Sequence, residues 1–451
     1  MDEGAPRKEV LVITPAIQAI IDSLKEDLPE AAIEERLAYA QQLREEQGLV
    51  AAAIRDHYTN LVSDALTAKI LPEGVGEELL RLLEEKDEEG VRAIMEQHNI
   101  PVIYKEMLEG VLVIKNFKPL EIWYALDDEI ASGKRFIFGG EGSSIAIPGE
   151  IAMGLAEKYG IEPSKVISDN CPKIQNLRGG DVVIISSNSG ETGTALDLAR
   201  RAQEAGAKTV AVTRNEDSSL VELCDKKIIL TCGHEEAVGA TKSVVEQILV
   251  TEAIVTYIDR EEHGDIKALS GPFQENILRE IPLSAIRDLA KADRLVIVGE
   301  NGIPEELQLK AGETLGVKTS VVKLTDIMHG IEEAMDKRDC VLVFNPTPET
   351  IIKIEEKIVN RESSNPLKTK IQVIYIIPEG LEVRVNPERV IHYSSFLKSG
   401  SEKKLLEEAL MHLAIGQNLL ARAAYYTGKD CVPEHARKVG DEVVESGEPT
   451  C

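Results

Sequence analysis

Apolar positions along the first hundred residues recur at the helical period. AIQAIIDSLKEDL (16–28) and EERLAYAQQLREE (34–46) place Ile, Leu and Ala three and four residues apart, as one buried face of a helix requires. From about residue 120 the pattern changes. KRFIFGG (134–140), DVVIISS (181–187), KTVAVTR (208–214) and KKIILTC (226–232) are short continuous apolar runs with helical segments between them, closed by a long helical stretch at 237–258. A second set follows in DRLVIVGE (293–300), KTSVVKL (318–324), DCVLVFNP (339–346) and KIQVIYIIP (370–378), with a last helix near 402–424. Runs of this kind, apolar at consecutive positions, predict strands buried on both faces of a parallel sheet covered by helices. The expected fold class is α/β: two tandem doubly wound parallel-sheet domains after a helical N-terminal region.

The two sets read as copies of one another. KRFIFGGE parallels ADRLVIVGE, and DVVIISSNSGET (181–192) aligns with DCVLVFNPTPET (339–350), both opening on Asp and ending in Glu-Thr. Arg135 precedes Asp181 by 46 residues and Arg294 precedes Asp339 by 45, so the repeat keeps its register. Differences between the copies then show which one kept a site.

Composition narrows the function classes. The 451 residues exceed one typical core, and 78 acidic against 51 basic side chains give a formal charge of −27. That balance argues against nucleic acid and against an anionic membrane surface, while a local site can still oppose the global field to bind a small anion. No stretch approaches a membrane span of about 18 apolar residues, and MDEGAPRKEV lacks a signal-peptide pattern. The six cysteines are dispersed without metal-ligand spacing and read as structural thiols of a cytoplasmic protein. No metal or organic cofactor is expected.

Candidate chemistry sits where strands end. DVVIISS runs into Asn188-Ser189-Gly190-Glu191-Thr192 and then a helix, and KRFIFGG runs into Glu141-Gly142-Ser143-Ser144. Hydroxyls and free amides at a helix N-terminus bind anions. Parallel strands end on one edge, so both loops converge on one ligand. Helix capping explains either cluster alone; two together favour phosphate. In the second copy Asn345 and Thr347 replace Ser187 and Ser189, and Pro346 and Pro348 remove donors, so only the first copy keeps the anion site. Neither loop is a Walker or dinucleotide motif. Further along, Glu306, Lys310 and Glu313 in EELQLKAGE stand at i, i+4 and i+7 on one helix face. Taken alone, Glu306–Lys310 is an exposed pair of about 0.3 kcal/mol.

SNSGET, GEGSS and EEAVGATK (235–242) resemble the sugar-isomerase (SIS) domain, whose hydroxyl loops hold the phosphate of a phosphosugar. The resemblance covers roughly residues 104–451 and is nearest the isomerase module of glucosamine–fructose-6-phosphate aminotransferase and the free-standing amino-sugar-phosphate isomerases and deaminases. It implies a substrate site of Gly142, Ser143, Ser144, Ser187, Asn188, Ser189, Thr192 and, through the backbone of EEAVGATK, Val238. It implies Glu313 as the proton-transfer base, supported by Lys310 and Glu306. His329, before Gly330, is the implied ring-opening group, reaching the partner subunit of a homodimer, and Lys438 closes over the substrate from the C-terminal segment. Glu235 and Lys242 read as surface charges. The chain departs from the family pattern in Asp326-Ile327-Met328-His329-Gly330-Ile331, which lacks the usual lysine and proline, and in Ala240 where a serine is usual.

Chemistry agrees with those roles. Proton transfer between C1 and C2 of a phosphosugar needs a carboxylate base, ring opening suits a histidine, and a lysine steadies developing negative charge. Glutamine hydrolysis in that family needs an N-terminal nucleophilic cysteine, and no cysteine precedes Cys171. The expectation is a phosphosugar aldose–ketose isomerase or amino-sugar-phosphate deaminase working without glutamine. The alternatives are a non-catalytic phosphosugar-binding regulator, and an assembly protein with SIS domains as scaffold. The implied divisions are a helical region 1–103, domains 104–270 and 271–424, and a closing tail 425–451.

Overall fold

The computed structural model describes residues 74–98, 100–126, 135–237, 239–259, 265–327, 335, 338–359, 371–395 and 404–427. The chain divides into two compact units, Met1–Lys69 and Ile70–Cys451, and every described residue belongs to the second. The segments 16–28 and 34–46, and the tail from residue 428, lie outside the described residues.

Among the described residues four helices come first: α1 (Val75–Glu85), α2 (Glu88–His98), α3 (Val102–Asn116) and α4 (Pro119–Ala125). The first α/β set is β1 (Arg135–Gly140), α5 (Ala146–Lys158), β2 (Val166–Asn170), β3 (Asp181–Ser186), α6 (Gly193–Glu204), β4 (Lys208–Thr213), α7 (Ser219–Leu223), β5 (Lys226–Ile229) and α8 (Lys242–Asp259). Helices α9 (Ser270–Leu278) and α10 (Leu283–Ala290) lead to the second set: β6 (Arg294–Gly299), α11 (Ile303–Leu315), β7 (Lys318–Lys323), β8 (Asp339–Phe344), α12 (Pro348–Ile354), β9 (Gln372–Pro378), β10 (Val390–Tyr393) and α13 (Lys404–Tyr426). None of the described helices is long and apolar enough to cross a membrane.

The strands form two five-stranded parallel sheets, ordered β2-β1-β3-β4-β5 and β10-β9-β8-β6-β7. Counted from its own first strand, the second sheet has the order of the first, the doubly wound arrangement expected of parallel strands with helices on both faces. The repeated Arg and Asp are register partners in both copies: Arg135 faces Asp181 across β1 and β3, and Arg294 faces Asp339 across β6 and β8. Each arginine closes a two-pronged ion pair on its aspartate, Arg135 at 2.8 and 2.5 Å and Arg294 through Nε at 3.1 Å and through Nη2.

Side chains of successive strand residues point to opposite faces, and the core divides accordingly. Phe136 and Phe138 of β1 and Leu295 and Ile297 of β6 join one large core with α3, α8, α11 and α13. Ile137, with Val183 and Ile185, packs on the outer face of the first sheet, and Val296 and Val298 on the outer face of the second. Central strands β3 and β8 are buried at all six positions, which is why they read as unbroken apolar runs. Helix α13 is buried on nearly every face and carries its own polar stitching. Asn418 accepts from Tyr104 of α3 at 3.0 Å and donates to Asn276 and Arg279 carbonyls at 3.0 and 2.9 Å.

Candidate functional site

Because β1 and β3 are parallel neighbours, the loops that follow them leave the first sheet side by side. Glu141–Ser144 includes a single 3-10 turn, Gly142–Ser144, and Ser187–Thr192 joins β3 to α6. Ser187 is buried, and its Oγ lies 2.9 Å from Thr192 Oγ1 while accepting from the Gly190 amide at 3.1 Å. Ser189 Oγ accepts from the Glu191 amide at 3.2 Å. Gly190 is required here: its φ is +73°, and a Cβ would sit 2.2 Å from Ser218 Oγ.

The capping explanation for these hydroxyls applies to the other copy. Thr192 stands at the N-cap position of α6, yet no side chain caps that helix, so its first amides are left for another partner. In the second copy Thr347 caps α12, accepting from the Thr350 amide at 3.2 Å with Pro348 at the first position. That helix also starts three residues earlier in the aligned motif (Pro348 against Gly193), which closes the equivalent loop.

Helix α11 brings the second set's contribution. Glu306 is fully buried, Lys310 is 3% exposed along its side chain and Glu313 is 36% exposed. Lys310 Nζ lies 2.9 Å from Glu313 Oε2, 3.4 Å from Glu306 Oε1, and donates to Ser143 Oγ at 3.0 Å. The Glu306 contact is an ion pair without hydrogen-bond alignment. Burial works against the charge on Lys310, but Glu306 and Glu313 outweigh it and hold the ammonium above its ordinary range. Burial pushes Glu306 up, with Lys310 opposing. The pair expected on an exposed helix is therefore an interior one, and the lysine ties the stripe to the first copy's Gly-Ser-Ser loop.

A third segment, 235–242, lies against that stripe. A Cβ on Gly239 would sit 3.1 Å from Lys310 Cδ and 3.2 Å from Glu313 Oε2, so any larger residue would have to push the lysine or the carboxylate aside by a few tenths of an ångström. Glu235 and Lys242, read from the sequence as surface charges, are 3% and 5% exposed; Glu235 is held mainly by donors of its own segment and Lys242 by α3. Glu235 accepts from the Thr241 amide (2.6 Å), the Ser243 amide (3.1 Å) and hydroxyl (2.7 Å), and Asn188 Nδ2 (3.1 Å), linking this segment to the anion loop. Lys242 pairs with Glu109 of α3. Glu106, one turn earlier on α3, is wholly buried and accepts from the amides of Glu236 and Ala237, the latter at 3.1 Å, and from Thr241 Oγ1 at 3.1 Å. Glu106 and Glu109 escape sequence reasoning, although a glutamate among Ile103, Met107 and Gly110 on the apolar face of a helix is itself a signal.

Of the sequence-predicted residues, Gly142, Ser143, Ser144, Ser187, Asn188, Ser189 and Thr192 lie on the two adjacent loops, and Glu306, Lys310 and Glu313 reach them through Lys310–Ser143. Val238, His329 and Lys438 lie outside the described residues.

Known proteins share parts of this sequence and its fold. Residues 129–257 match the SIS domain. Glutamine–fructose-6-phosphate aminotransferase (isomerizing) of Thermotoga maritima is 27% identical over 235 residues, 47% of this chain and 38% of that protein. The Sulfurisphaera tokodaii enzyme of the same name is 24% identical over 257 residues, 56% of this chain and 42% of that protein. The chain thus spans about two fifths of the length of these curated relatives. The fold is shared with the C-terminal domain of glucosamine-fructose-6-phosphate aminotransferase from Francisella tularensis (TM-score 0.58, 16% identity, 73% of this chain and 97% of that one). It is shared also with tagatose-6-phosphate ketose/aldose isomerase from Escherichia coli (TM-score 0.57, 17% identity, 73% and 95%). The chain carries an SIS domain within a fold that resembles the isomerase module of these aminotransferases.

Proposed function

We propose that this protein is a phosphosugar aldose–ketose isomerase or amino-sugar-phosphate deaminase, of the glucosamine 6-phosphate/fructose 6-phosphate type, that works without glutamine. The observation that carries the reading is Lys310, a buried ammonium in contact with both Ser143 of the anion loop and Glu313 of the helix stripe. One cation thereby joins the place for a phosphosugar to the candidate base.

In this reading the hydroxyls of Ser143, Ser144, Ser187, Ser189 and Thr192, with the uncapped amides of α6, hold the phosphate. Asn188, Gly142 and the backbone at Val238 border the sugar. Glu313, the member of the stripe with an exposed carboxylate edge, carries the proton between C1 and C2. Lys310 steadies the oxyanion of the enediol or enediolamine, and Glu306 behind it keeps the ammonium charged and aimed. His329 opens the ring, from the partner subunit of a homodimer, and Lys438 closes over the substrate. Residues 104–270 and 271–424 form the two domains, and the protein acts in the cytoplasm.

Incubation with fructose 6-phosphate, with and without ammonia, and with glucosamine 6-phosphate in D2O tests this by NMR. Wild-type protein exchanges the C1/C2 proton, and Glu313→Gln lowers the rate at least about 100-fold, as loss of a general base does. Phosphosugar binding without exchange across a broad sugar panel would replace the enzyme with a phosphosugar-binding regulator.

A further inference from the structure

Two carboxyl groups converge on one hydroxyl beneath the segment 235–242. Glu106 Oε2 lies 3.1 Å and Glu235 Oε1 3.3 Å from Thr241 Oγ1. A threonine hydroxyl owns one proton, and with both acids buried it cannot satisfy two anions. Their remaining contacts tell them apart. Glu235 accepts from four further donors, the surroundings of an ionised carboxylate. Glu106 uses Oε1 for the Glu236 and Ala237 amides, and among the described residues its Oε2 meets Thr241 Oγ1 alone. The proton count closes when Glu106 carries a proton on Oε2.

We propose that Glu106 is a positioning residue: its Oε2 proton goes to Thr241 Oγ1, whose own proton goes to Glu235, and this relay fixes segment 235–242 against the Lys310–Glu313 pair. Through Asn188 the same relay reaches the anion loop. The role in substrate binding rests on the phosphosugar reading above; the proton on Glu106 does not. Burial first, and then the charge of Glu235, push Glu106 up to about 7. Around it, the segment contributes Glu235, Glu236 and Lys242, preceded by His234; its own helix contributes Lys105, paired with Glu236 at 2.7 Å, and Glu109, paired with Lys242. On α8, Glu246 is engaged by the Thr231 and Cys232 amides. Other charges on elements packed against α3 include Glu84, which pairs with Lys115, and Glu78, Arg81 and Glu85 on α1. They include also the buried Glu252 on α8, Glu407, Glu408 and His412 on α13, Arg422 over the Tyr104 ring, and the exposed Glu275 and Lys267; none is among the hydrogen-bond partners of Glu106.

Ionising Glu106 sets two anions against one proton and frees one end of the segment, so phosphosugar binding weakens as pH rises through that titration. Infrared difference spectra of the full chain, wild type against Glu106→Gln, test the proton directly. A carboxylic-acid band is expected at mildly acidic pH, absent in the variant; no such band overturns the proposal whether or not the protein is an enzyme. Calorimetric titration with fructose 6-phosphate tests the consequence. Between about pH 6 and pH 8.5 the wild-type Kd, taken relative to E106Q, is expected to rise about fivefold, the loss of one hydrogen bond. The amide of E106Q can donate to Thr241 and accept from the two amides, so it holds the segment at every pH. Glu106→Ala is expected to bind about tenfold more weakly at both ends of the range. A wild-type pH dependence retained in E106Q overturns the relay.

Discussion

Lys310 sits where a charge is costly unless it is paired, and its two carboxylates and Ser143 supply the pairing. Replacing it with methionine leaves Glu306 buried without a countercharge. Lys310→Met should therefore lower stability by about 3 kcal/mol in chemical denaturation, the cost of breaking a buried pair from one side. Glu306 is pushed up by burial, so its folded pKa exceeds its unfolded one. Stability tied to its proton is present at low pH and lost as pH rises through the folded value. The Lys310→Met deficit should accordingly be smaller in mild acid than in mild alkali, and adding Glu306→Gln should recover most of it. Equal deficits at both pH values would mean that Glu306 is not the group left uncompensated. The spacing of Glu306, Lys310 and Glu313 was legible from the helical period alone. Their burial was not, because it depends on the Gly-Ser-Ser loop and on Gly239, which arrive from more than sixty residues away in the chain.

At the scale of elements, the two α/β copies start from the same device. Each central strand opens on an aspartate gripped by an arginine at the head of its neighbour. Asp181 is 1% exposed along its side chain and Arg135 15%, whereas Arg294 is 32% exposed. Arg135→Met should cost about 2 kcal/mol and Arg294→Met less, since water screens the second pair more; thermal denaturation of the two variants decides the order. Burial would raise the Asp181 carboxyl, but the Arg135 hydrogen bond and the Arg178 amide together hold it below its ordinary range. A lowered carboxyl contributes stability above its unfolded pKa and loses it as pH falls through the folded value, so the Arg135 variant should differ least from wild type in strong acid. Eight of the ten strands among the described residues were legible as apolar runs. The two that were not, VISDN and VIHY, are edge strands β2 and β10: VISDN is buried only at its first residue, and VIHY is four residues long. The other two edge strands, β5 and β7, were legible in KKIILTC and KTSVVKL, so the polar Ser-Asp-Asn of β2 and the shortness of β10, rather than edge position alone, hid these two.

For the whole molecule the dominant quantities are the formal charge of −27 and the number of acids held up by burial. Burial is the largest cause raising Glu106, Glu150, Asp288, Glu306 and Glu408. In each the folded state binds its proton more tightly than the unfolded chain, so stability is lost as pH rises through the folded values. Self-repulsion among the acids acts in the same direction. The melting temperature should peak on the acid side of neutrality, and at neutral pH it should rise by a few degrees when salt goes from about 20 to 300 mM, as screening relieves repulsion. A maximum in mild alkali would show that these raised acids do not set the pH dependence of stability.

Sequence by itself determined the α/β class, the duplicated order of central strands, the loops after β1 and β3, and the charged stripe on one helix. Each of these is local, a period or a turn chemistry that neighbouring residues impose on one another. Tertiary structure alone decided that Glu235 and Lys242 are interior, that Glu106 and Glu109 of α3 hold the segment beside the stripe, and that Lys310 reaches Ser143. Burial and hydrogen-bond partnership belong to pairs of residues distant in the chain, and only the packing of α3, α8 and α11 around the first sheet's loops brings those pairs together.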